Sequence, residues 1–394
     1  MSESITNRLY YHDAYRTTFA ATVVARSDDG KRVYLNETAF YPTSGGQPHD
    51  LGRLGGAAVI DVIDEGDRIA HMLGDAIPDG VERVTGEIEW ARRYDHMQQH
   101  TGQHLLSAVF EDLFGFKTVS VHFGPEYSTL DLEAESVSHQ QLLAAERRAN
   151  VAVGEARPVR VTFEDAASAA GLRKASDRDG MLRIVDIDGT DRSACGGTHV
   201  RSTSEIGVVL VRSVEKVRKS TRVEFLCGGR AILRARRDYE SLTRIASALS
   251  AAIDDVPELV AAQAERLKES DGARKRLEKE LATYAARQRY DAATPDARGV
   301  RTVVVRDAAS MDDLRTLAQA MFALPAVVVV GALTNPPSVL VAASEDSGID
   351  AGRLLKERLS AVGGRGGGSP RLAQGSVPDA GAVETVIAGL VSRG

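Results

Sequence analysis

Residues 96–106 read HMQQHTGQHLL and place histidines at 96, 100 and 104. On a helix, residues four apart share one face about one turn apart, so this stretch would present three imidazoles in a row. Imidazoles at i and i+4 can converge on one metal ion, zinc above all. A metalloprotease uses the same spacing as His-Glu-x-x-His, where the glutamate is the general base. Here Thr101, Gly102 and Gln103 separate His100 from His104, so that base is missing. A two-histidine half-site needs a second half, and DRSACGGTHVRSTSEIG, residues 191–207, offers Cys195 and His199, again four apart. Gly196 and Gly197 between them let the backbone turn tightly enough for a thiolate and an imidazole to face one point. His100, His104, Cys195 and His199 together make a donor set that zinc accepts tetrahedrally, and one Zn2+ per subunit is expected. His96 is then surplus. It sits about 6 Å from His100 along a helix axis and is expected beside the ligands or on the surface.

The elements that must hold these residues can be read from periodicity. Residues 1–90 alternate apolar and polar in short runs broken by Gly, Pro and Asp, as in KRVYLNETAFY and AAVIDVIDEGDRIAHML, which predicts a β-rich, small barrel-like domain. From WARRYDHMQQHTGQHLLSAVFEDLFG the period becomes helical; strands (VSVHFG, YSTLDLE) and a helix (SHQQLLAAERRANVAVGE) follow, giving an α+β metal-binding domain over 91–229. Residues 230–296, rich in Ala, Leu, Arg and Glu and broken at DDVPE, predict a helical hairpin with coiled-coil character and a part in dimerisation. Residues 297–394 carry VRTVVVRD, AVVVVGAL and SVLVAAS between helical runs and end in GGRGGGSPRLAQG, a small α/β domain. The fold class expected is therefore α+β throughout. A chain of 394 residues, 43% hydrophobic, with net charge −6, suits a globular protein of several domains. It holds no run of eighteen apolar residues, so no membrane span is expected. The start MSESITNRLYYHDAY lacks a signal pattern, and two cysteines, Cys195 and Cys227, suit a reducing compartment, so a cytoplasmic location is expected. The net acidity means that any nucleic-acid surface must be a local basic patch.

HTGQHLL with CGGTHV resembles the editing domain of alanyl-tRNA synthetase and its free-standing relatives, the AlaX-type alanyl-tRNA editing proteins. AFYPTSGGQPHDLG, residues 39–52, is similar to the family's glycine-rich motif ahead of the zinc helix. VRSVEKVRKSTRVEFLCGGRA is similar to the strand pair that closes the editing domain, and GGRGGGSPRLAQG to the glycine-rich end of the synthetase's DHH-associated C-terminal domain. The motifs run in family order over nearly the whole chain. Little sequence precedes the glycine-rich motif, which leaves no space for an ATP-using aminoacylation domain, so the resemblance implies the long, free-standing form acting in trans.

The implied activity is ester hydrolysis of tRNA(Ala) mischarged with serine, and with glycine as a further substrate. A pocket built for alanine cannot strongly reject a smaller residue or one that adds only a hydroxyl, so a second site must remove the errors. The resemblance puts substrate-side residues on FKTVSVHF after the zinc helix, here Thr118 and Ser120, with Gln103 between the ligand histidines counted beside them. Gly45 and Gly46 allow close backbone approach and Gln47 offers an amide, a second candidate wall. For tRNA phosphates, Arg212, Lys216, Arg218, Lys219 and Arg222 form a basic run. A homodimer is expected. The alternatives are a non-catalytic tRNA-binding protein that keeps the fold, and a zinc hydrolase of another ester.

Overall fold

The computed structural model describes residues 5–174 and 179–392. The outer ends of the expected first and last domains, the start of the N-terminal segment read for a signal, and residues 175–178 lie outside the described residues. The chain divides into two compact units, Met1–Arg244 and Ile245–Gly394.

In the first unit, six strands close a barrel in the order Thr18–Arg26, Arg32–Leu35, Ile69–Leu73, Ala57–Asp64, Gly52–Leu54 and Arg83–Ile88. Their inward residues, among them Phe19, Val33, Leu35, Val62, Ile69 and Val84, form one buried cluster. His71 is the polar exception. It is fully buried, its Nδ1 lies 3.1 Å from the Val33 carbonyl oxygen and its Nε2 2.8 Å from the Thr38 hydroxyl. One donor and one acceptor satisfy a neutral ring, and burial, partly offset by the bond to Val33, holds its pKa down at about 4.

Helix α1 (Trp90–Phe114) leaves the last barrel strand and is the spine of the unit. Gly115 ends it in the left-handed conformation, φ 71°. Helix α2 (His139–Gly154) starts with a capping box between Ser138 and Gln141. A four-stranded sheet runs in the order Val209–Val217, Ser220–Cys227, Ser128–Leu132, Thr118–Phe123, and a three-stranded one in the order Val159–Asp165, Met181–Ile187, Asp191–Ala194. Met97, Leu105, Leu106 and Phe110 of α1 pack with Ala145 and Ala149 of α2 and with Leu130, Val185 and Phe225 from the sheets. Gly102 has to be glycine, because a Cβ there would lie 2.2 Å from the Cys227 sulfur.

One buried ion pair fastens barrel to spine. The Arg93 guanidinium of α1 is wholly buried. Its Nε donates to the Asp50 carboxylate at 2.9 Å, Nη1 to the Ala14 carbonyl at 2.7 Å, and Nη2 to the Ala39 carbonyl at 2.6 Å and to Asp50 at 2.5 Å. Asp50 also accepts the Tyr41 amide at 2.6 Å.

Helix α3 (Gly228–Ala248) follows the long hairpin strand, and α4 (Val256–Ala292) begins at the DDVPE break with a proline in its first turn. Both leave apolar side chains in solvent: Ile232, Leu233 and Tyr239 on α3, and Leu267, Leu277, Leu281 and Tyr284 on α4. In the second unit a five-stranded sheet takes the order Arg301–Val305, Val327–Thr334, Pro337–Ala343, Leu372–Ser376, Arg365–Gly368. Helices α5 (Met311–Met321), α6 (Ala351–Ala361) and α7 (Ala380–Val391) cover it. The glycine-rich segment is therefore an edge strand rather than a loop. A Cβ at Gly366 would meet the facing strand's Gln374 carbonyl at 2.4 Å and the Leu359 side chain of α6 at 2.8 Å, so close packing demands that glycine. Among the described residues no helix is long and apolar enough to cross a membrane.

Two outcomes follow. Arg93→Ala strands a buried carboxylate and should cost about 3–5 kcal/mol in urea unfolding followed at the single tryptophan, Trp90; Asp188→Ala, which removes the exposed pair with Arg160, should cost under about 1 kcal/mol. His71 binds its proton in the unfolded chain below about pH 6.5 and in the folded one only below about 4. Its contribution to stability is therefore complete above that window and lost as pH falls through it. Between pH 7.5 and 5 the wild type should lose about 2 kcal/mol more than His71→Gln in the same unfolding measurement.

Candidate metal centre

Four side chains from two distant segments meet beside α1. His100 and His104 stand one turn apart on the helix; Cys195 and His199 come from the turn after strand Asp191–Ala194. One ligand atom from each lies within 4.8 Å of all the others. The Cys195 sulfur is 3.4 Å from both His100 Nε2 and His199 Nε2, and the His100 and His199 ring centres are 4.4 Å apart. Gly197 makes the approach possible: a Cβ there would sit 2.1 Å from the His100 ring.

The other nitrogen of each imidazole is held from outside. His100 Nδ1 lies 2.8 Å from Gln47 Oε1, His104 Nδ1 2.7 Å from Asp191 Oδ2, and His199 Nδ1 3.1 Å from the Thr101 hydroxyl. With Nδ1–H donated outward, a neutral ring presents its Nε2 lone pair to the centre, the arrangement that fixes tautomer and aim in metal-binding histidines. These partners are themselves held. Gln47 donates to the Thr198 hydroxyl at 2.7 Å and accepts the Thr198 amide at 3.1 Å. Asp191 accepts from Arg173 at 2.5 Å and from Ser193 at 3.0 Å, and Thr101 takes the Val200 amide at 3.2 Å.

The electrostatics suit a cation. Burial alone would raise the Cys195 thiol, but His100 and His199 beside it bring it well below its ordinary value. Burial would raise Asp191 too, yet its bond to His104 carries it down to about 2. His104 goes up to about 9, since Asp191 and Cys195 together outweigh its desolvation. Burial and the neighbouring His100 push His199 down to about 3. Two anionic groups thus face three imidazoles in a buried space, and three nitrogens and a thiolate are donors of the kind zinc takes. The residues present fit that ion.

The structure brings the four expected ligands together, and it redistributes the rest. Gln47 is buried and its amide is spent on His100 and Thr198, so it braces a ligand. Gly45 and Gly46 form the exposed tip of the Ser44–Gln47 turn at φ 56° and 84°, and Gly46 lies against the Phe123 ring. Gln103 Nε2 and the Thr118 hydroxyl both donate to the Ser107 hydroxyl, each at 2.8 Å; Ser120 is exposed one strand position beyond Val119. His96 is neither a surface residue nor bonded to a ligand. It is buried, and neither ring nitrogen has a hydrogen-bond partner among the described residues. Burial and Arg92 hold its pKa down at about 4. Of the basic run, Arg212 pairs with Glu224 at 3.2 Å, Lys216 with Glu135 at 3.9 Å and Arg222 with Asp131 at 2.7 Å. Arg218 and Lys219, exposed at the hairpin tip, have no ion pair among the described residues.

Sequence reasoning missed Asp191, Thr101 and Ser107. A signal existed for the first two: metal-bound histidines need an acceptor on the outer nitrogen, and Asp191 opens the cysteine motif while Thr101 follows His100 directly. Ser107 is one helical turn past Gln103 and nothing in the sequence marks it.

Comparison with known proteins gives two family matches. Residues 182–223 match the threonyl and alanyl tRNA synthetase second additional domain, and residues 299–392 match the DHHA1 domain. The chain is 33% identical over 398 residues to an alanine–tRNA ligase of Halorubrum lacusprofundi, covering 97% of this chain and 43% of that one. It is 37% identical over 228 residues to the alanyl-tRNA editing protein Aarsd1-A of Xenopus laevis, covering 56% of this chain and 55% of that one. Against the alanyl-tRNA editing protein Aarsd1 of Mus musculus the figures are 32% over 273 residues, 64% and 66%. The chain thus spans under half of the ligases and roughly half to two thirds of the editing proteins that it matches. Among solved structures, the C-Ala domain of Aquifex aeolicus alanyl-tRNA synthetase matches 23% of this chain and 86% of that one, at 21% identity and a TM-score of 0.21.

Removing an outer partner should loosen the metal without abolishing the site. Asp191→Asn should weaken zinc 10- to 100-fold in competition with a chromogenic chelator. His100→Ala or His104→Ala should leave it unbound, and His96→Ala should leave it unchanged.

Proposed function

Because this chain belongs to the family that alanyl-tRNA editing proteins share with alanine–tRNA ligases, we propose that its metal centre deacylates mischarged tRNA(Ala), chiefly Ser-tRNA(Ala) and also Gly-tRNA(Ala). The observation that carries this reading is the convergence of His100, His104, Cys195 and His199, with each imidazole braced through Nδ1, beside the exposed Gly45–Gly46 turn. His100, His104, Cys195 and His199 would hold one Zn2+, which would supply positive charge beside an ester carbonyl or a water.

The remaining steps belong to the chain's own residues. Gly45 and Gly46 present bare backbone that an aminoacyl ester can approach. Gln103 and Ser107 of α1 and Thr118 of the following strand form a hydrogen-bonded row centred on the Ser107 hydroxyl. With its Nε2 committed to Ser107, Gln103 has its carbonyl oxygen left to accept from a substrate hydroxyl or ammonium. A site that binds a hydroxyl discriminates strongly against an analogue without it, because its polar group is then left unpaired. Ser-tRNA(Ala) is thereby favoured over correctly charged Ala-tRNA(Ala); glycine has no hydroxyl, so hydrolysis of its ester does not draw on this contact. Within the run 212–222, Arg218 and Lys219 have no ion pair among the described residues and are the cations offered to RNA phosphates, whereas Arg212, Lys216 and Arg222 face carboxylates.

The open apolar side chains of α3 and α4 are the motive for a homodimer built on those helices. Two free cysteines fit a cytoplasmic protein.

A panel of charged tRNA(Ala) tests the reading. Ser-tRNA(Ala) should be hydrolysed with a kcat/KM at least about a hundredfold above that for Ala-tRNA(Ala), and His104→Ala should abolish the activity. Equal rates on serine and alanine esters, or full activity in metal-free protein, would overturn it.

A further inference from the structure

A row of aromatic rings lies on the surface at the start of α1, away from the metal centre. Tyr15 and Trp90 have ring centres 5.3 Å apart, and Trp90 and Tyr94 5.2 Å, tilted by 48° and 35°. All three are half-buried. The Arg201 guanidinium caps the row 4.0 Å above the Tyr15 ring. Tyr15 is fixed at both sides: its hydroxyl donates to Glu205 and accepts the Arg201 amide at 3.1 Å. Against the row opens a cleft of about 480 Å³, lined by Tyr15, Thr17, Thr18, Glu87, Ile88 and Trp90. Its side-chain polar groups are the hydroxyls of Tyr15, Thr17 and Thr18, the Trp90 indole N–H and the Glu87 carboxylate, with no lysine or arginine among the lining residues. A phosphate would meet the Glu87 carboxylate there and no cation. A flat heteroaromatic ring with N–H donors fits: its face lies on the open side of the ring row and its donors reach Glu87 and the threonines, while Arg201, paired with Asp13 at 3.1 Å, stays outside the cleft.

From these contacts we propose that the Tyr15–Trp90 cleft is a nucleobase-binding site, which takes an unpaired base of the single-stranded 3′ end of the RNA whose terminal ester reaches the metal centre. The assignment of the ester rests on the deacylase reading above; the stacking site rests on its own geometry. Trp90 and His100 are ten residues apart on α1, hence about 15 Å along the axis and about 80° around it. At a stacked rise of about 3.4 Å per nucleotide, that distance is about four nucleotides, the scale of an unpaired acceptor end. Arg201 lies two residues beyond the ligand His199, so ring row and metal centre are braced by one segment. Base-on-aromatic stacking tolerates any base, because every base has a π-face, so the site would hold the strand rather than read its sequence.

Trp90 is the only tryptophan in the chain and reports on its own occupancy. The full-length protein is titrated with an uncharged single-stranded RNA oligonucleotide ending in CCA, followed by tryptophan emission and, in parallel, by anisotropy of a labelled strand. Saturable quenching of Trp90 that tracks binding is the expected result. Tyr15→Leu should weaken binding at least about fivefold, the loss expected for one stacked base; should that variant fold poorly, Arg201→Gln, an exposed position, should weaken it in the same direction. Zinc content should stay unchanged in both. Binding by anisotropy with no change in Trp90 emission, or no binding at all, overturns the proposal. The two readings separate cleanly: deacylation of Ser-tRNA(Ala) with silent Trp90 removes the cleft and leaves the deacylase, whereas quenching without hydrolysis of any charged tRNA does the reverse.

Discussion

The Arg93 guanidinium is the constraint on which the first unit depends. It is buried on α1 and its donors go to three separate segments: the Ala14 carbonyl near the N-terminus, the Ala39 carbonyl before the glycine-rich turn, and the Asp50 carboxylate after it. A charge taken out of water is tolerable only when it is paired and hydrogen-bonded, so this one position fixes where the turn 39–52 lies against the helix. That placement carries Gln47 to His100 and to Thr198. The barrel, the helix and the Cys195 loop are thus held in register by two polar contacts in series, one charged and one neutral.

The metal centre is built by the same logic one layer further in. Three imidazoles and a thiol would not share a buried space unless their second nitrogens were committed elsewhere. Gln47, Asp191 and Thr101 commit them, each from a different element. Asp191 is the anionic member, and its pairing with His104 and Arg173 carries a buried carboxylate down to about 2. Glycines complete the arrangement by yielding volume: Gly197 to the His100 ring, Gly102 to Cys227. The geometry is stiff where the four side chains meet, and the Gly45–Gly46 turn that follows Ser44 is exposed.

Much of the site was legible in the sequence. Spacing of four on a helix, repeated as Cys-Gly-Gly-Thr-His, named the donor types, and their chemistry narrowed the metal. The barrel was legible as alternation, α1 and α2 as helical period, and the DDVPE break as the start of α4. The glycine-rich tail was less so. Its composition does not say what it forms; in the fold Arg365–Gly368 is an edge strand, and Leu359 of α6 lies so close that a Cβ at Gly366 has no space. The basic run 212–222 read as one patch, yet three of its five cations are bound to carboxylates of neighbouring strands or loops that no local pattern links to them.

What the sequence determined alone was local: which residues can donate to a metal, which stretches alternate or turn every 3.6 residues, which glycines interrupt them. Tertiary structure decided whatever depends on distance between remote segments. His104 and Asp191, 87 residues apart, become a pair only when the strand Asp191–Ala194 meets α1. Gln47 is a brace and not a free amide because Thr198, 151 residues away, takes its nitrogen. His96 shows the limit most plainly. It has the same residue type and spacing as its neighbours, but it ends buried and unbonded while they converge on Cys195. Periodicity sets the face on which a side chain emerges, and only packing against other segments sets what it finds there.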